Sequence, residues 1–252
     1  MRTNPRIPLV LLTAAMFAGS PALARIDCNE GLEPLDSAAE SRLTAQDFIS
    51  QVAVKEKTLA KAFASYGYKL EVLIQTLKDG QVDGEFRQVS LTAIDDKGGR
   101  REEVEGTTTN TLSRVKFSDK DVSAFRDTLP FTLTPDKLAD RDIVYSGRQR
   151  VGDFRAHVFD ILPRNGQDRD RAFLGRTWVR GRAMAIVRTC GRTPGFPIAR
   201  MRFEGVRAQI ADSDDYMPLS IRADEEVEIE GDKSGKVHVC VNVKYSDYKP
   251  KP

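Results

Sequence analysis

The stretch from Ile143 to Pro163, IVYSGRQRVGDFRAHVFDILP, decides how this sequence folds. Two runs of β-prone residues meet at Gly152-Asp153, a dipeptide that is typical of a tight hairpin turn. Folding the chain there pairs four cationic side chains across two strands, Arg150 with Arg155 and Arg148 with His157. Like charges that face each other across two strands oppose folding, so this cationic tip needs a reason.

The same hairpin predicts which side chains face the core. Val151 with Phe154, and Ile143 with Leu162, form the inward set. The sequence then places Arg148, Arg150, Arg155 and His157 on an exposed cationic edge. Two explanations stay open for this edge: solvated charges that the acidic strand around 226–230 balances, or a rim that docks an anionic partner.

Outside the hairpin, the hydrophobic pattern predicts two helices and a series of strands. Helical periodicity runs from a cap at Thr44 through Phe48, Val52, Leu59 and Phe63, and a second helix begins after Ser118 and stops before Pro130. Period-two patterns begin at Tyr68 and fill the chain from Arg141 onward, with Gly-, Asp- and Asn-rich turns between them. The predicted class is mainly β (α+β): an antiparallel sheet long enough to curl, with helices covering its concave face.

The N-terminus has the features of a secretory signal peptide. Arg2 and Arg6 precede an apolar run that ends at an A-x-A pattern closing on Ala24. We therefore predict a signal peptide at 1–24, a single domain at 25–248 and a disordered tail at 249–252, in a periplasmic protein that has no membrane span after cleavage. Cys28 lacks the preceding residues that lipid attachment requires, so no lipid anchor is expected.

Charge is balanced over the whole chain and segregated along it. The sequence has 39 basic and 37 acidic residues, which gives no reason to expect nucleic acid as a partner. From Arg141 to Arg207, however, there are fifteen arginines and six acids, and from Asp212 to Asp232 nine acids and one arginine. Ion pairs between neighbouring strands are the ordinary explanation of such segregation.

Three cysteines, Cys28, Cys190 and Cys240, predict one disulfide and one free thiol in an oxidising compartment. The pairing stays open, and no C-x-x-C spacing indicates a redox or zinc site. Motifs of hydrolases, nucleotide-binding proteins and zinc proteases are absent, so we expect no enzyme, no metal and no cofactor. Trp178, between Arg176 and Arg180, is either a packed core residue or a further part of the docking rim.

The strand pattern resembles a known family. The segments YSGRQRVGDFRAHVFDILPRN, RAFLGRTWVRGRAMAIVRTCGR and VNVKYSDYK resemble the sheet of bacterial outer-membrane lipoprotein-sorting proteins, the LolA/LolB/RseB-like superfamily. That resemblance implies a half-open antiparallel β-barrel, with helices acting as a lid or plug over an apolar cavity. It also implies binding of acylated lipoproteins or lipids, or envelope-stress sensing through a protein partner.

Two functions follow as hypotheses. The first is an exported non-enzymatic protein that holds a lipid or lipoprotein acyl chain in a cavity lined by Phe48, Val52, Leu59 and Phe63. The second is a regulatory module that docks an acidic envelope protein through Arg148, Arg150, Arg155, His157, Arg176, Trp178 and Arg180. The two hypotheses differ in whether the side chains of the first helix fill the concave space or only cap it.

Overall fold

The computed structural model describes residues 27–94, 99–117, 119–127, 129–131, 133–138, 141–164, 173–193, 201–210, 215–228 and 236–250. The predicted signal peptide at 1–24 lies outside these residues, as do Ser118, Ile229 and Glu230. No helix in the described part of the chain is long and apolar enough to cross a membrane.

Within the described residues the chain forms three α-helices and eleven strands. In chain order they are α1 (Ala45–Phe63), β1 (Tyr66–Lys78), β2 (Gln81–Ile94), β3 (Arg100–Val104), β4 (Thr109–Asn110), α2 (Asp119–Asp127), α3 (Pro135–Leu138), β5 (Arg141–Val151), β6 (Phe154–Pro163), β7 (Leu174–Arg180), β8 (Ala185–Arg192), β9 (Phe203–Gln209), β10 (Tyr216–Glu228) and β11 (Lys236–Pro250). A single 3-10 turn at Gly181–Ala183 joins β7 to β8. The two helices predicted from periodicity are α1 and α2.

All of the strands belong to one antiparallel sheet. Its order is β3-β2-β1-β11-β10-β9-β8-β7-β6-β5, and the short β4 pairs with β2. From β5 to β11 each strand pairs with the next one along the chain, and β11 then pairs with β1. The path ends at β3 and β5, so the sheet is open. This confirms the predicted class, a mainly β chain with a curled antiparallel sheet and covering helices.

The two faces of the sheet differ because successive side chains of a strand point to opposite sides. We call the face covered by α1 the helix face and the opposite one the outer face. On β11, the residues Val237, Val239, Val241, Val243 and Tyr245 lie on the helix face and are each at most 1% exposed. The alternate residues of that strand carry polar groups on the outer face.

The hairpin of β5 and β6 has the predicted register at its tip. Arg150 pairs with Arg155, Arg148 with His157 and Val151 with Phe154. The prediction for the far end of the hairpin was wrong, since Ile143 pairs with Ile161 and Leu162 is 46% exposed. An irregularity between Tyr145 and Gly147 inserts one extra residue into β5, and such a bulge shifts every pair beyond it.

The C-terminal strand is longer than predicted. Lys249 and Pro250 were expected in a disordered tail, but they belong to β11 and pair with Gly67 and Tyr66 of β1. Pairing with β1 extends the ordered chain because each added residue contributes to a ladder that is already formed. The last two residues, 251–252, lie outside the described chain.

Candidate functional site

Helix α1 lies directly on the apolar helix face. Thr44 caps it, and its hydroxyl accepts a hydrogen bond of 3.1 Å from the backbone N–H of Asp47. The four predicted cavity residues, Phe48, Val52, Leu59 and Phe63, share the buried side of this helix and are 4%, 0%, 3% and 4% exposed. In this structure their side chains therefore fill the concave space.

Aromatic contacts hold both ends of α1. Near its start, the ring of Phe48 lies 5.0 Å from that of Phe159 and 4.8 Å from that of His157. At its end, Phe63 packs against a cluster whose ring centroids lie 4.8 Å (Tyr68), 5.3 Å (Phe131) and 6.3 Å (Tyr248) away. Offset and edge-to-face arrangements at these separations are favourable beyond simple burial.

A buried ion pair lies between α1 and the sheet. Glu56 of α1 accepts two hydrogen bonds from the guanidinium of Arg207 on β9, at 2.6 and 2.7 Å. The two residues are only 1% and 8% exposed, and Arg207 also donates to the carbonyl of Pro130 and lies 5.1 Å over the ring of Phe131. Bidentate geometry of this kind compensates for the loss of hydration.

Sequence reasoning missed this ion pair. The available signal was the position of Glu56, which shares the apolar side of α1 with Val52, Ala53 and Leu59. A charged residue on the buried side of an amphipathic helix predicts a buried partner. The identity of that partner, 151 residues further on, depends on the register of β9.

A cleft of about 590 Å³ opens beside the end of α1. It is lined by residues 67–69 of β1, 91–94 of β2 and 247–250 of β11. Two of these residues, Tyr68 and Tyr248, also pack against Phe63 of α1. Burial is the main cause of the raised pKa of the Tyr248 phenol. This phenol donates a hydrogen bond of 2.5 Å to the carbonyl of Pro218. The cleft therefore adjoins the aromatic contacts that hold the end of α1 against the sheet.

The outer face of β5 to β10 is covered by the chain's own N-terminus. We call residues 27–43 the N-terminal strap. A disulfide joins Cys28 of the strap to Cys190 of β8 and leaves Cys240 as the free thiol. This agrees with the predicted count of one disulfide and one free thiol. The strap carries five acidic residues before its first base: Asp27, Glu30, Glu33, Asp36 and Glu40.

These acidic residues meet the arginines of the outer face. The carboxylate of Glu30 lies 2.9 Å from the guanidinium of Arg222, and its carbonyl accepts a hydrogen bond of 3.2 Å from Arg188. Arg188 and Arg222 both pair with the buried carboxylate of Glu204 as well. The segregated charges of the sequence are thus neutralised by ion pairs within one sheet and its strap.

The strap then wraps the free edge of the sheet. Asp36 forms a one-residue antiparallel bridge with Arg148 of β5, with hydrogen bonds of 2.8 and 3.0 Å between the backbones. Gly147 permits this approach, because a Cβ atom there would collide with the Asp36 carbonyl and its φ of +125° favours glycine. Covering the backbone groups of an edge strand prevents pairing with another chain.

Most of the predicted docking residues already have partners within the chain. Arg150 lies 3.8 Å from Glu33, and Arg155 lies 3.6 Å from Asp36. Arg148 donates to the carbonyl of Glu40 at 3.4 Å. The tip is therefore balanced by the strap, whereas the sequence had suggested the acidic strand around 226–230 as the source of balancing charge. Only two of the four tip residues, Arg150 and Arg155, are exposed.

The other docking candidates lie deeper. Trp178 is completely buried, donates to Gln149 at 2.7 Å and is stacked by Arg188, not by its sequence neighbours. Arg176 pairs with Asp160 at 2.7 Å, and Arg180 contacts the phenol of Tyr216. Trp178 therefore cannot belong to an exposed rim, and the structure does not bring the seven residues together as one open surface.

Two ionisable groups near the hairpin have shifted pKa values. Burial lowers the pKa of His157, and the positive charge of Arg148 lowers it further. Burial opposes ionisation of Asp160, but hydrogen bonds from Arg176 and Ser146 outweigh it and hold the pKa of that carboxyl below its usual value. Both shifts follow from structural contacts, and neither group lies in a catalytic arrangement.

No protein-family model and no curated protein sequence matches this chain. Solved structures that are similar to it over most of its length include the following three. A DUF1329 family protein from Desulfovibrio piger has 12% identity and a TM-score of 0.40, covering 82% of this chain and 94% of its own. A LolA superfamily protein from Nitrosomonas europaea has 14% identity and a TM-score of 0.37, covering 83% and 94%.

The third is an outer membrane lipoprotein-sorting protein domain from Vibrio parahaemolyticus, with 9% identity, a TM-score of 0.41, and coverage of 82% of this chain and 94% of its own. Two of these proteins are named after the superfamily that the strand pattern resembles. Identities this low provide no residue-by-residue correspondence with this chain.

Proposed function

We propose that this chain is an exported, non-enzymatic binding protein that holds a lipid or lipoprotein acyl chain against the helix face, with α1 as a displaceable cover. One observation carries the proposal. The two faces of the sheet are covered in different ways: a disulfide fixes the strap on the outer face, whereas α1 contains no cysteine and lies on an apolar surface through side-chain contacts. A cover held in this way can exchange with an apolar ligand.

The cleft beside α1 supports the same function. Its 590 Å³ lies within the range of ordinary ligand pockets, which is roughly 300–1,000 Å³. Lys69 and Lys249 belong to its lining, together with Leu91 and Tyr68. We propose that an acyl chain enters here, next to the contacts of Phe63, with Lys249 near its anionic headgroup, because Lys69 already pairs with Glu105 at 2.9 Å.

A direct test uses native mass spectrometry on the protein purified from the envelope of its host. We expect a bound molecule whose mass corresponds to a lipid or an acylated peptide. Protein that is consistently free of ligand, at every stage of a gentle purification, contradicts the proposal.

A second test asks whether α1 is the part that moves. Leu59→Ala removes a buried contact between α1 and the sheet and weakens the cover by about 2 kcal/mol or more, so a fluorescent fatty acid should bind about 30-fold more tightly. The matched control is Leu77→Ala, which truncates a buried leucine nine positions along β1 from Tyr68. Equal affinities for both variants contradict a role of α1 as the cover.

The alternative function, docking of an acidic protein through the arginine-rich face, has less support. The arginines of that face already pair with Glu30, Glu33, Asp36 and Glu204 of the same chain. An external partner would have to displace a strap that is covalently attached. Recovery of an acidic envelope protein with the purified chain at low salt, and its loss at high salt, would favour this alternative.

A further inference from the structure

A cluster of three different metal-binding side chains lies on the outer face of β10 and β11, on the side of the sheet opposite α1. His238 and Cys240 are two residues apart on β11, so their side chains point to the same side of the sheet. Asp224 of β10 lies directly opposite Cys240 in the register of the two strands. The buried valines on either side of Cys240 face the other way and fix this orientation.

The three side chains converge at their tips. A ring nitrogen of His238, the sulfur of Cys240 and a carboxylate oxygen of Asp224 all lie within 4.8 Å of one another. His238 Nε2 is 2.5 Å from Asp224 Oδ1. In a tetrahedral zinc site with bonds of about 2.0–2.3 Å, the ligand atoms are roughly 3.2–3.8 Å apart. Small side-chain rotations are therefore enough to form the site.

A second observation points to a missing partner at this place. The other ring nitrogen of His238, Nδ1, is buried and has no hydrogen-bond partner among the residues that the structure describes, although the side chain is only 11% exposed. Buried polar atoms without a partner are uncommon in folded proteins.

We propose that Asp224, His238 and Cys240 form a binding site for a divalent cation of the zinc class, with a fourth position open to solvent. One thiolate, one imidazole and one carboxylate suit zinc or cobalt, whereas calcium and magnesium require oxygen ligands throughout. A blue-copper site needs two histidines beside its cysteine, and the only other histidine, His157, lies on the helix face against Phe48.

Binding is a substitution at the thiol. The S–H bond of Cys240 breaks, a metal–sulfur bond forms and the proton leaves to solvent, so each bound cation releases one proton from this residue. The thiol is available for this step because the other two cysteines are joined to each other.

The test titrates the full-length mature chain, with its disulfide intact and without chelator, first with Co²⁺ and then with Zn²⁺. We expect one Co²⁺ per chain, a thiolate-to-cobalt charge-transfer absorption, and its loss when Zn²⁺ displaces the cobalt. In the presence of Zn²⁺, alkylation of Cys240 should slow markedly.

Variants separate this site from weak binding by surface acids. Cys240→Ser and His238→Gln should each reduce the affinity for Zn²⁺ by about tenfold or more, and Cys240→Ser should abolish the charge-transfer absorption. The matched control is Glu226→Gln, which changes an exposed acid directly opposite His238 and should leave the affinity within about threefold. Thermal unfolding of each metal-free variant reports on its folding.

The proposal is overturned if Co²⁺ produces no thiolate absorption in a folded chain with a reduced Cys240. It is equally overturned if Cys240→Ser binds as well as the unchanged chain, or if Glu226→Gln weakens binding as much as Cys240→Ser. The last result would show that acidic surface residues hold the cation.

Discussion

The two faces of the sheet are covered in opposite ways. The helix face is apolar, and α1 covers it with seven buried residues, one of which is the charged Glu56. The outer face carries rows of arginines and acids, and the strap covers it through ion pairs, an edge bridge and a disulfide. Because successive residues of each strand point to opposite faces, the same strands supply both surfaces. The proposal that α1 is the displaceable cover rests on this difference.

The largest expected effect comes from breaking the ion pair under α1. Glu56→Gln leaves the buried guanidinium of Arg207 without a charged partner, which should lower the free energy of unfolding by about 3–5 kcal/mol. Urea denaturation followed by circular dichroism measures it. The double variant Glu56→Leu with Arg207→Met removes both charges and should be close to the unchanged chain in stability. A loss below about 1 kcal/mol in Glu56→Gln contradicts the buried pair.

Removing the disulfide should lower the free energy of unfolding slightly less than breaking the ion pair does. It should leave ligand binding at the helix face unchanged. Replacing both Cys28 and Cys190 by serine releases a cross-link that spans 162 residues, with an expected loss of about 2–5 kcal/mol. Binding of a fluorescent fatty acid to the folded variant should stay unchanged, because α1 is not attached to the disulfide. Loss of that binding in the folded variant would show that the two covers are coupled.

A smaller effect should follow from lifting the strap off the edge strand. Gly147→Ala forces a Cβ atom against the Asp36 carbonyl at a positive φ, at a cost of about 1–3 kcal/mol. Gly152→Ala is the control, since it also has a positive φ but nothing within 4 Å of the added atom. Hydrogen exchange at the Asp36 and Arg148 amides should accelerate in the first variant and not in the second.

The smallest expected effect is a pH dependence near the hairpin. Burial and Arg148 lower the pKa of His157 in the folded chain, so between the folded pKa and the unfolded value of about 6.5 the unfolded chain binds more protons. Stability should therefore fall as the pH drops below about 6.5, and it should be recovered above it. His157→Gln should flatten this part of the curve in urea denaturations. An unchanged slope would mean that other groups cause it.

The sequence predicted the hairpin tip and the strands correctly for a local reason. Turn residues such as Gly152-Asp153 and period-two patterns act over a few positions, and so does the cap at Thr44 that begins α1. The bulge near Gly147 was not visible in the pattern, and it moved Ile143 from its predicted partner Leu162 to Ile161. One inserted residue reverses the inward side of everything beyond it.

The residues of the candidate site also divide into those that local patterns predicted and those that depend on distant contacts. The buried side of α1 followed from its periodicity, so Phe48, Val52, Leu59 and Phe63 could be selected together. The partners of the cationic tip could not, because Glu33 and Asp36 lie more than a hundred positions earlier in the chain. The cluster of Asp224, His238 and Cys240 depends likewise on the register of two strands.

By itself, the sequence determined the class of fold, the buried side of α1 and the number of cysteines left for one disulfide and one free thiol. These properties depend on composition and on short periods, which act between near neighbours. Only the tertiary structure decided that Cys28 bonds to Cys190 and that Glu56 forms an ion pair with Arg207. It also decided that acidic residues of the strap pair with the arginines of the hairpin tip. Such pairings depend on how the sheet is ordered and how the chain wraps its edge, and no local pattern encodes contacts between segments so far apart.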